Sequence, residues 1–582
     1  MSRKTQLQRA KKPPSLSLLS GNWDSAISLL VWLATCVSVF SFLFYYREGE
    51  TMLYGDAVAH MNIARRVFDS KTPGLLQLGT VWLPLPHLVM IPFLLSKEMW
   101  QRGVGGSMPS LIAYVLGVAG IFRLLRGALS RGVEADVSAF LAACVGTAIF
   151  AANPNLIYMQ TTAMGEALYL AFFIWAVVFF SEAIRGKDNS LTKCGACLAA
   201  ACLTRYDGWF LAAAMTMVIT YRAIRKRESG QSTSTQPAAV QPASTQRTAK
   251  SPSVRAAAGF VVIAAIAPIL WLAYNGIVYR NPLEFANGPY SAKAIEARSQ
   301  SGGNPGHPGS GNLVLAGMYF VKSGEANVAQ NQWLQRGWIL LGLAGLALLA
   351  LQFTHRSEAG PSRLHSWPLL FLAIPIPFYA LSVAYSGVPI FIPAWWPFTH
   401  YNVRYGLQLL PAFAAALAII TYTTIRTDGW KPRLRLIAVL SLLAFVAASY
   451  VTVWRADPVC LQEAEINMRT RNQLEAQVAG WIKTLPPGCT LLVYLGDHVG
   501  ALQQAGIPLK QTINEGNHRV WKLPVDPEGL WERTLADPTR YADYVLAFDG
   551  DPVWQAVQGR NLRALVEIHV TGQPRAILYR VR

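Results

Sequence analysis

The sequence has few charged residues. Of its 582 residues, only 14% are Asp, Glu, Lys or Arg, whereas about a quarter are charged in an average soluble domain. Hydrophobic residues make up 52%, and the mean hydropathy is +0.28. This composition excludes an ordinary soluble protein, and the long apolar runs indicate a polytopic α-helical membrane protein.

Acidic residues are scarcer than basic ones, and cysteines are few. The 51 basic and 32 acidic residues give a net charge of +19. In a membrane protein such an excess marks the cytoplasmic loops, so we expect a lipid bilayer and no nucleic acid as partner. The seven cysteines do not form a disulfide framework. Cys460 and Cys489 in the tail can pair only if the tail faces an oxidising compartment.

The basic residues orient the apolar runs across the membrane. Residues 1–24 carry only basic charges before Asp24 and are predicted to be a cytoplasmic tail. The run at 82–95 is too short to span and contains three prolines, so it predicts a surface or re-entrant helix. The remaining runs predict about eleven spans, at 25–44, 109–127, 136–152, 165–184, two short spans within 191–222, 256–275, 337–353, 367–385, 405–425 and 435–454.

Three segments lie outside these spans. The first external loop, 51–108, contains an amphipathic stretch at 57–68 that is typical of a helix at the membrane surface. Residues 228–253 are rich in Ser, Thr, Gln, Pro and Ala, which predicts a disordered cytoplasmic loop. The tail, 456–582, alternates strand-like and helical runs and predicts a small α/β domain. With eleven spans, this domain is extracytoplasmic and the membrane part extends over 25–455.

Unusual polar residues gather at the external ends of the predicted spans: Asp56 and His60 after the first, Glu166 at the start of the fourth, Arg205 and Asp207 at a hinge, and Arg404 at the start of the tenth. Polar groups at membrane depth are functional candidates. Each also has a structural explanation. Asp56 can cap a helix, Glu166 can interact with a helix dipole, and Arg205 can pair with Asp207.

Four motifs carry a family resemblance: YGDAVAH, TTAMGEALYL, LTRYDGW and NVRYGLQLLP. Their order on this topology resembles the GT-C glycosyltransferases, which include protein O-mannosyltransferases, aminoarabinose transferases and oligosaccharyltransferases. The resemblance covers about residues 25–455, and it can extend to the tail, since many relatives carry a soluble outer domain. It implies a membrane glycosyltransferase of a bacterial inner or plasma membrane. The sugar would pass from a polyprenyl-phosphate donor to a glycan, lipid or protein acceptor at the outer face, with inversion.

The resemblance also assigns roles to residues. Asp56 is expected to be the general base and Glu166 the second acid, while Arg404, or else Arg205, stabilises the phosphate leaving group. Several relatives have two adjacent acids in the first loop, but Ala57 follows Asp56 here. The use of a divalent metal ion is left open, with Asp56, Glu166 and His60 as its candidate ligands.

Further candidates for substrate contacts are His60 beside Asp56, Asp207 at the hinge, Tyr290 in the long loop 276–335, and His400 in the aromatic cluster Ala394–Asn402. Loops of this length often act as lids, and Trp and Tyr also favour membrane interfaces without any other role. Two other functions stay open: a transporter or flippase of lipid-linked sugars, and a membrane scaffold that presents the tail. A transporter often has internal repeats, and the sequence contains no evident repeat.

Overall fold

The computed structural model describes residues 23–130, 136–187, 189–232, 253–354, 366–496, 498–517 and 528–581. The first part of the chain is helical. Its helices are α1 Trp23–Arg47, α2 Gly55–Arg66, α3 Leu85–Leu94, α4 Lys97–Gln101, α5 Val104–Leu129, α6 Val137–Ala151, α7 Pro154–Met159, α8 Glu166–Ile184, α9 Ser190–Cys202, α10 Asp207–Ser232, α11 Val254–Val278, α12 Glu284–Asn287, α13 Ala292–Ser301, α14 Leu313–Ala326, α15 Gln332–Thr354, α16 Pro375–Tyr385, α17 Leu410–Arg426 and α18 Pro432–Arg455.

Helices occupy all eleven predicted span positions. Eight stretches of the described residues are long and apolar enough to cross a membrane: Ser25–Arg47, Val104–Leu129, Glu166–Ile184, Val254–Val278, Gln332–Leu351, Trp367–Tyr385, Val403–Arg426 and Pro432–Ile482. The other predicted positions hold α6, α9 and α10. Helices α6 and α9 have only 15 and 13 residues, fewer than the roughly 20 that a perpendicular span requires. These helices identify a multi-pass membrane protein.

Helices α8 and α17 lie at the centre of the bundle. About four fifths of the residues in their apolar stretches are buried inside the protein (78% and 83%), whereas 22% are buried in the stretch of α1. Exposed apolar side chains on α1 and α11 therefore form the periphery that faces lipid. The first residues of α8 and the turn before α17 enter this centre, and both carry predicted site residues.

The first loop contains the two predicted helices, but α2 is not a surface helix. Its polar residues Asn62 and Arg65 are buried. The Asn62 amide bonds to Gln503 of the tail (2.9 Å) and to the Trp100 indole (3.1 Å), and the Trp100 ring also covers Arg65. The polar face of α2 therefore packs against the tail and against residues of the first loop instead of lying at the membrane surface. Helix α3, with Pro92 inside it, is too short to span, as predicted.

The hinge predicted near Arg205 is present. Helix α9 ends at Cys202 and α10 begins at Asp207. Two helices replace one long helix because a continuous helix would place Arg205 and Asp207 in its middle. Helix α10 continues to Ser232, so the first part of the predicted disordered loop 228–253 is helical. Residues 233–252 of that loop lie outside the described residues.

The tail contains the predicted strands. Its helices are α19 Val459–Ile482, α20 Val499–Ala505, α21 Leu530–Ala536, α22 Pro538–Tyr541 and α23 Pro552–Val557, and its strands are β1 Leu491–Val493, β2 Thr512–Ile513, β3 Tyr544–Phe548, β4 Arg563–Ile568 and β5 Ala576–Arg580. The sheet order is β2-β1-β3-β5-β4. Strand β1 pairs in parallel with β2 and β3, and β5 is antiparallel to β3 and β4. The two-residue β2 is too short to give a sequence pattern. Cys460 and Cys489 are free thiols in this structure.

Candidate active site

Arg404 is the centre of a buried charged cluster. It lies in the 3-10 turn Val403–Leu409 that leads into α17, and its side chain is 7% exposed. Its Nη2 donates to Asp56 Oδ2 at 2.7 Å, its Nε lies 3.3 Å from Glu166 Oε1, and its Nη1 donates to Glu463 Oε1. Each guanidinium nitrogen thus faces a different carboxylate. A guanidinium can face three carboxylates in this way because it is planar and its N–H groups point in different directions. The Nε–Glu166 contact is an ion pair without a hydrogen bond.

Asp56 is the exposed member of this cluster. Its side chain is 41% exposed, whereas those of Glu166 and Glu463 are 1% and 0% exposed. It is the second residue of α2, and Tyr54, which makes no side-chain capping bond, is the N-cap. The alternative that Asp56 is the N-cap is therefore wrong. Among the three carboxylates on Arg404, Asp56 is therefore the one that is open to solvent.

Glu166 joins the two predicted arginines. It is the first residue of α8, as predicted, and its Oε1 lies 3.2 Å from Arg205 Nη1 and 3.3 Å from Arg404 Nε. Its Oε2 is buried and has no hydrogen-bond partner among the described residues. A buried carboxylate oxygen without a partner is energetically costly. It is available to accept a bond from a bound hydroxyl group.

Arg205 and Asp207 pair loosely, and a tyrosine completes the contact. Arg205 Nε lies 3.6 Å from Asp207 Oδ2. The Tyr379 hydroxyl accepts from Arg205 Nη2 at 2.7 Å and donates to Asp207 Oδ2 at 3.3 Å. Arg205 and Asp207 therefore do pair with each other, as the structural explanation predicted. That explanation omits the Arg205–Glu166 contact, which brings the hinge into the cluster.

Aromatic rings enclose the two guanidinium groups. The Tyr405 ring centroid lies 4.7 Å from Arg205 Cζ and 5.2 Å from Arg404 Cζ. The Tyr54 ring lies 5.1 Å from Arg404 Cζ on another side. Cation–π contacts of this kind stabilise a desolvated cation and limit its rotation. They hold both arginines in place without using their N–H donors.

Carboxylates outnumber cations in the cluster. The two guanidinium groups face Asp56, Glu166, Asp207 and Glu463. Because every nitrogen of Arg404 already has an anionic neighbour, an anionic ligand can reach it only by replacing one of them. Asp56 is the partner that can be replaced, because it is the exposed one.

His60 lies beside this cluster and bonds to a second histidine. Its Nδ1 is 2.8 Å from His87 Nε2, and the Trp82 ring packs on it at 4.7 Å. Burial lowers the pKa of both rings from the usual value near 6.5, although Asp56 and Glu166 oppose the shift for His60. One neutral imidazole therefore donates to the other.

The histidine pair makes stability depend on pH. Since the folded protein resists protonation of these rings, the unfolded chain binds more protons below pH 6.5, and stability falls as pH falls. The cost is at most about 1.4 kcal/mol per pH unit for each ring. We expect His87→Gln to reduce the loss of thermal stability between pH 7 and 5, measured by melting in detergent. An equal loss in wild type and variant would contradict this.

Among the described residues, neither His400 nor Tyr290 makes a hydrogen bond to Arg205 or Arg404. His400 Nε2 is 3.2 Å from Gln462 Oε1, and its backbone carbonyl accepts from Asn467 at 3.3 Å. This residue therefore connects its loop to α19. Tyr290 is 49% exposed between α12 and α13. In the part of the chain that the structure describes, no hydrogen bond joins Tyr290 to the cluster.

The candidate metal ligands do not converge. Asp56 and Glu166 both contact Arg404, whereas His60 contacts His87. Within the described ranges, no group of three or more His, Cys, Asp or Glu residues is arranged to hold a metal ion. A guanidinium occupies the space between the two acids. The donor set therefore does not fit a divalent metal site.

The sequence did not point to several residues of this site. Glu463, Tyr379, Tyr54 and His87 come from four different segments, and their local patterns are those of ordinary helix or loop residues. Tyr405 is the exception, because it follows Arg404 directly in the motif NVRYG. An aromatic residue beside a buried arginine is the one signal that sequence reasoning could have used.

Known proteins match this chain in structure and not in sequence. No family model and no curated protein sequence matches it. The structure of ArnT from Cupriavidus metallidurans bound to undecaprenyl phosphate superposes with a TM-score of 0.50 at 12% identity, covering 96% of this chain and 99% of ArnT. The apo structure of ArnT gives the same score and covers 98% of that chain. The chain has the ArnT fold.

This fold is that of the GT-C glycosyltransferases, so the fold class predicted from the four motifs is confirmed. Oligosaccharyltransferase AglB from Archaeoglobus fulgidus, in complex with an inhibitory peptide and a dolichol-phosphate, is a more distant match, at 12% identity and a TM-score of 0.43. The matched region covers 90% of this chain and 70% of AglB. At these identities the likeness establishes the fold alone.

Proposed function

We propose that the protein is a membrane glycosyltransferase that moves a sugar from a polyprenyl-phosphate donor to a glycan, lipid or protein acceptor. The observation that carries this proposal is the Arg404–Asp56 pair. It places a cation suited to a phosphate 2.7 Å from an exposed carboxylate suited to act as a base. The ArnT fold supports it, because an ArnT structure holds undecaprenyl phosphate.

Arg404 stabilises the leaving group. When the bond between the anomeric carbon and the donor phosphate breaks, negative charge develops on the phosphate oxygens. The phosphate takes the place of Asp56 at Arg404 Nη2, while Glu166 and Glu463 keep the guanidinium oriented. Arg205 lies on the other side of Glu166 and adds a second positive charge. Asp207 and Tyr379 fix the orientation of Arg205.

Asp56 activates the acceptor. Once the phosphate has replaced it on Arg404, its carboxylate is free to bind an acceptor hydroxyl. The acceptor oxygen attacks the anomeric carbon from the face opposite the phosphate, and its proton passes to Asp56 as the carbon–phosphate oxygen bond breaks. The products are the glycosylated acceptor and free polyprenyl phosphate, with inverted anomeric configuration. The free Oε2 of Glu166 is placed to bind a hydroxyl of the sugar or acceptor.

The reaction is assigned to the outer face of a bacterial inner or plasma membrane. The charged cluster is built from the N-terminal ends of α2, α8 and α10 and the turn before α17, and these ends share one side of the bundle. The basic loops of the sequence assign the opposite side to the cytoplasm. The tail packs against α2 on the same side as the cluster, so we infer that it is extracytoplasmic.

The test is an assay of the full-length protein in proteoliposomes that contain a labelled polyprenyl-phosphate sugar. We expect label in the acceptor fraction and free polyprenyl phosphate in equal amounts. Movement of intact donor between leaflets without cleavage would instead establish the flippase alternative. Neither cleavage nor movement, with any polyprenyl-phosphate sugar offered, would contradict the proposal and favour a scaffold.

A further inference from the structure

The tail supplies part of the candidate active site through α19. This helix begins at Val459, beyond the last membrane helix, and it contacts the site at several points. The Tyr54 hydroxyl donates to the Cys460 carbonyl at 2.7 Å, and Arg471 lies against Gly55, where a Cβ atom would overlap its guanidinium. Tyr54 and Gly55 directly precede Asp56. One face of α19 therefore packs against the segment that carries the exposed carboxylate.

Glu463 is the charged residue on that face. Its side chain is fully buried, and both of its carboxylate oxygens are used. One oxygen accepts from Arg404 Nη1. The other accepts from the backbone N–H groups of Val403 at 2.6 Å and Arg404 at 3.3 Å. The same carboxylate thus holds both the backbone and the side chain of Arg404.

These two contacts define where the guanidinium points. The backbone bonds satisfy N–H groups at the start of the turn Val403–Leu409, which have no partner within the turn. With Nη1 occupied by Glu463, the Nη2 edge is turned toward Asp56 and Nε toward Glu166. A buried charge is retained in a protein only when it is paired, and here the pairing fixes the direction of the cation.

We propose that Glu463 is a positioning residue for transfer: it holds Arg404 in the orientation that receives the donor phosphate, so that the tail is part of the active site. This inference rests on the proposed function. It predicts that loss of the Glu463 charge lowers turnover without weakening the binding of the phosphate. Without that charge, the phosphate no longer meets an oriented Arg404 guanidinium, which weakens its binding. It is also no longer repelled by the nearby Glu463 carboxylate, which strengthens its binding.

The test compares Glu463→Gln with wild type in the full-length protein. Gln has nearly the same shape as Glu and keeps an oxygen that accepts from the backbone. It removes the negative charge that pairs with Arg404. We expect kcat to fall about 100-fold, the effect of a misplaced catalytic group. The Kd for polyprenyl phosphate without sugar is expected to be unchanged or lower. A kcat within about twofold of wild type would overturn the inference.

Two control variants separate positioning from general destabilisation. Glu182→Gln removes another buried acid, which pairs with Arg123 and Lys187 at the far end of α8. Glu465→Gln removes an exposed acid of α19 itself. Both are expected to keep wild-type kcat per folded molecule. If Glu182→Gln lowers kcat as much as Glu463→Gln does, the effect is not specific to Arg404 and the inference is wrong.

Chemical rescue provides a second measurement. Glu463→Ala removes the carboxylate and leaves a space beside Arg404 that matches the size of formate. Added formate is expected to restore part of the turnover of Glu463→Ala and none of Glu463→Gln, whose side chain fills that space. Equal behaviour of the two variants would contradict a role for the carboxylate. If the wild-type protein has no turnover, the proposed function itself fails, and that result is distinct from each of these outcomes.

Discussion

Asp56→Asn is expected to slow transfer strongly and yet to tighten the binding of polyprenyl phosphate. A general base contributes about 10²–10⁴-fold to rate, so we expect kcat to fall by about that factor. The ion pair with Arg404 no longer competes with the phosphate. A partly exposed pair contributes up to about 1 kcal/mol, which corresponds to a Kd about two- to fivefold lower. Single-turnover kinetics and equilibrium binding of the sugar-free lipid measure the two effects.

The opposite signs make this test specific. Unfolding of the site would weaken both binding and turnover, and a metal ligand at Asp56 would make the variant bind phosphate more weakly. Glu98→Gln is the matched control, because Glu98 is an exposed acid of the same loop that pairs with Arg102. It is expected to match wild type in both measurements. Retained turnover in Asp56→Asn would remove the base assignment.

Arg404→Lys is expected to lose turnover by at least 10³-fold despite the retained charge. A lysine ammonium is a single point charge and cannot face Asp56, Glu166 and Glu463 at three separate nitrogens. At least one buried carboxylate then loses its partner, and breaking a buried pair costs about 3–5 kcal/mol. We therefore also expect a clearly lower melting temperature in detergent. Turnover close to that of wild type would show that charge alone is enough.

Arg426→Lys serves as the control for the arginine substitution. Arg426 ends α17, the helix that Arg404 precedes, and it pairs with Asp136 at 3.6 Å on the opposite side of the bundle. Its side chain is 37% exposed, so water replaces any contact that the lysine loses. Stability and turnover are expected to stay near wild type. A comparable loss in both variants would indicate that Arg404 is only a structural cation.

Residues that the chain brings together at span ends were predictable, because a membrane imposes strong rules. Asp56, Glu166, Arg205 and Arg404 interrupt or flank apolar runs, and charge at that depth is costly enough to be informative. The distribution of the basic loops predicts that they lie on one side of the membrane. The structure places all four in one connected cluster. Their catalytic roles stay predictions.

Residues that reach the site from distant segments were not predictable. Glu463 follows Arg404 by 59 positions and belongs to a helix of ordinary polarity. The predicted boundary at residue 456 between the membrane part and the tail stays a prediction. It places Glu463 and its partner Arg404 in different domains. The burial of the polar face of α2 was not predictable for the same reason. Gln503, the partner of Asn62 on this face, lies 441 residues further along the chain. Periodicity reports that a face is polar but does not report what covers it.

We propose that Arg404 and Asp56 act together in cleaving the bond between a sugar and a polyprenyl phosphate. The most direct test is the release of free polyprenyl phosphate from a phosphorus-labelled donor by the purified full-length protein, with a membrane glycolipid extract as acceptor. We predict release that depends on the acceptor and is lost in both Asp56→Asn and Arg404→Lys. Release by either variant at the wild-type rate, or no release by wild type with any sugar tested, would contradict the claim.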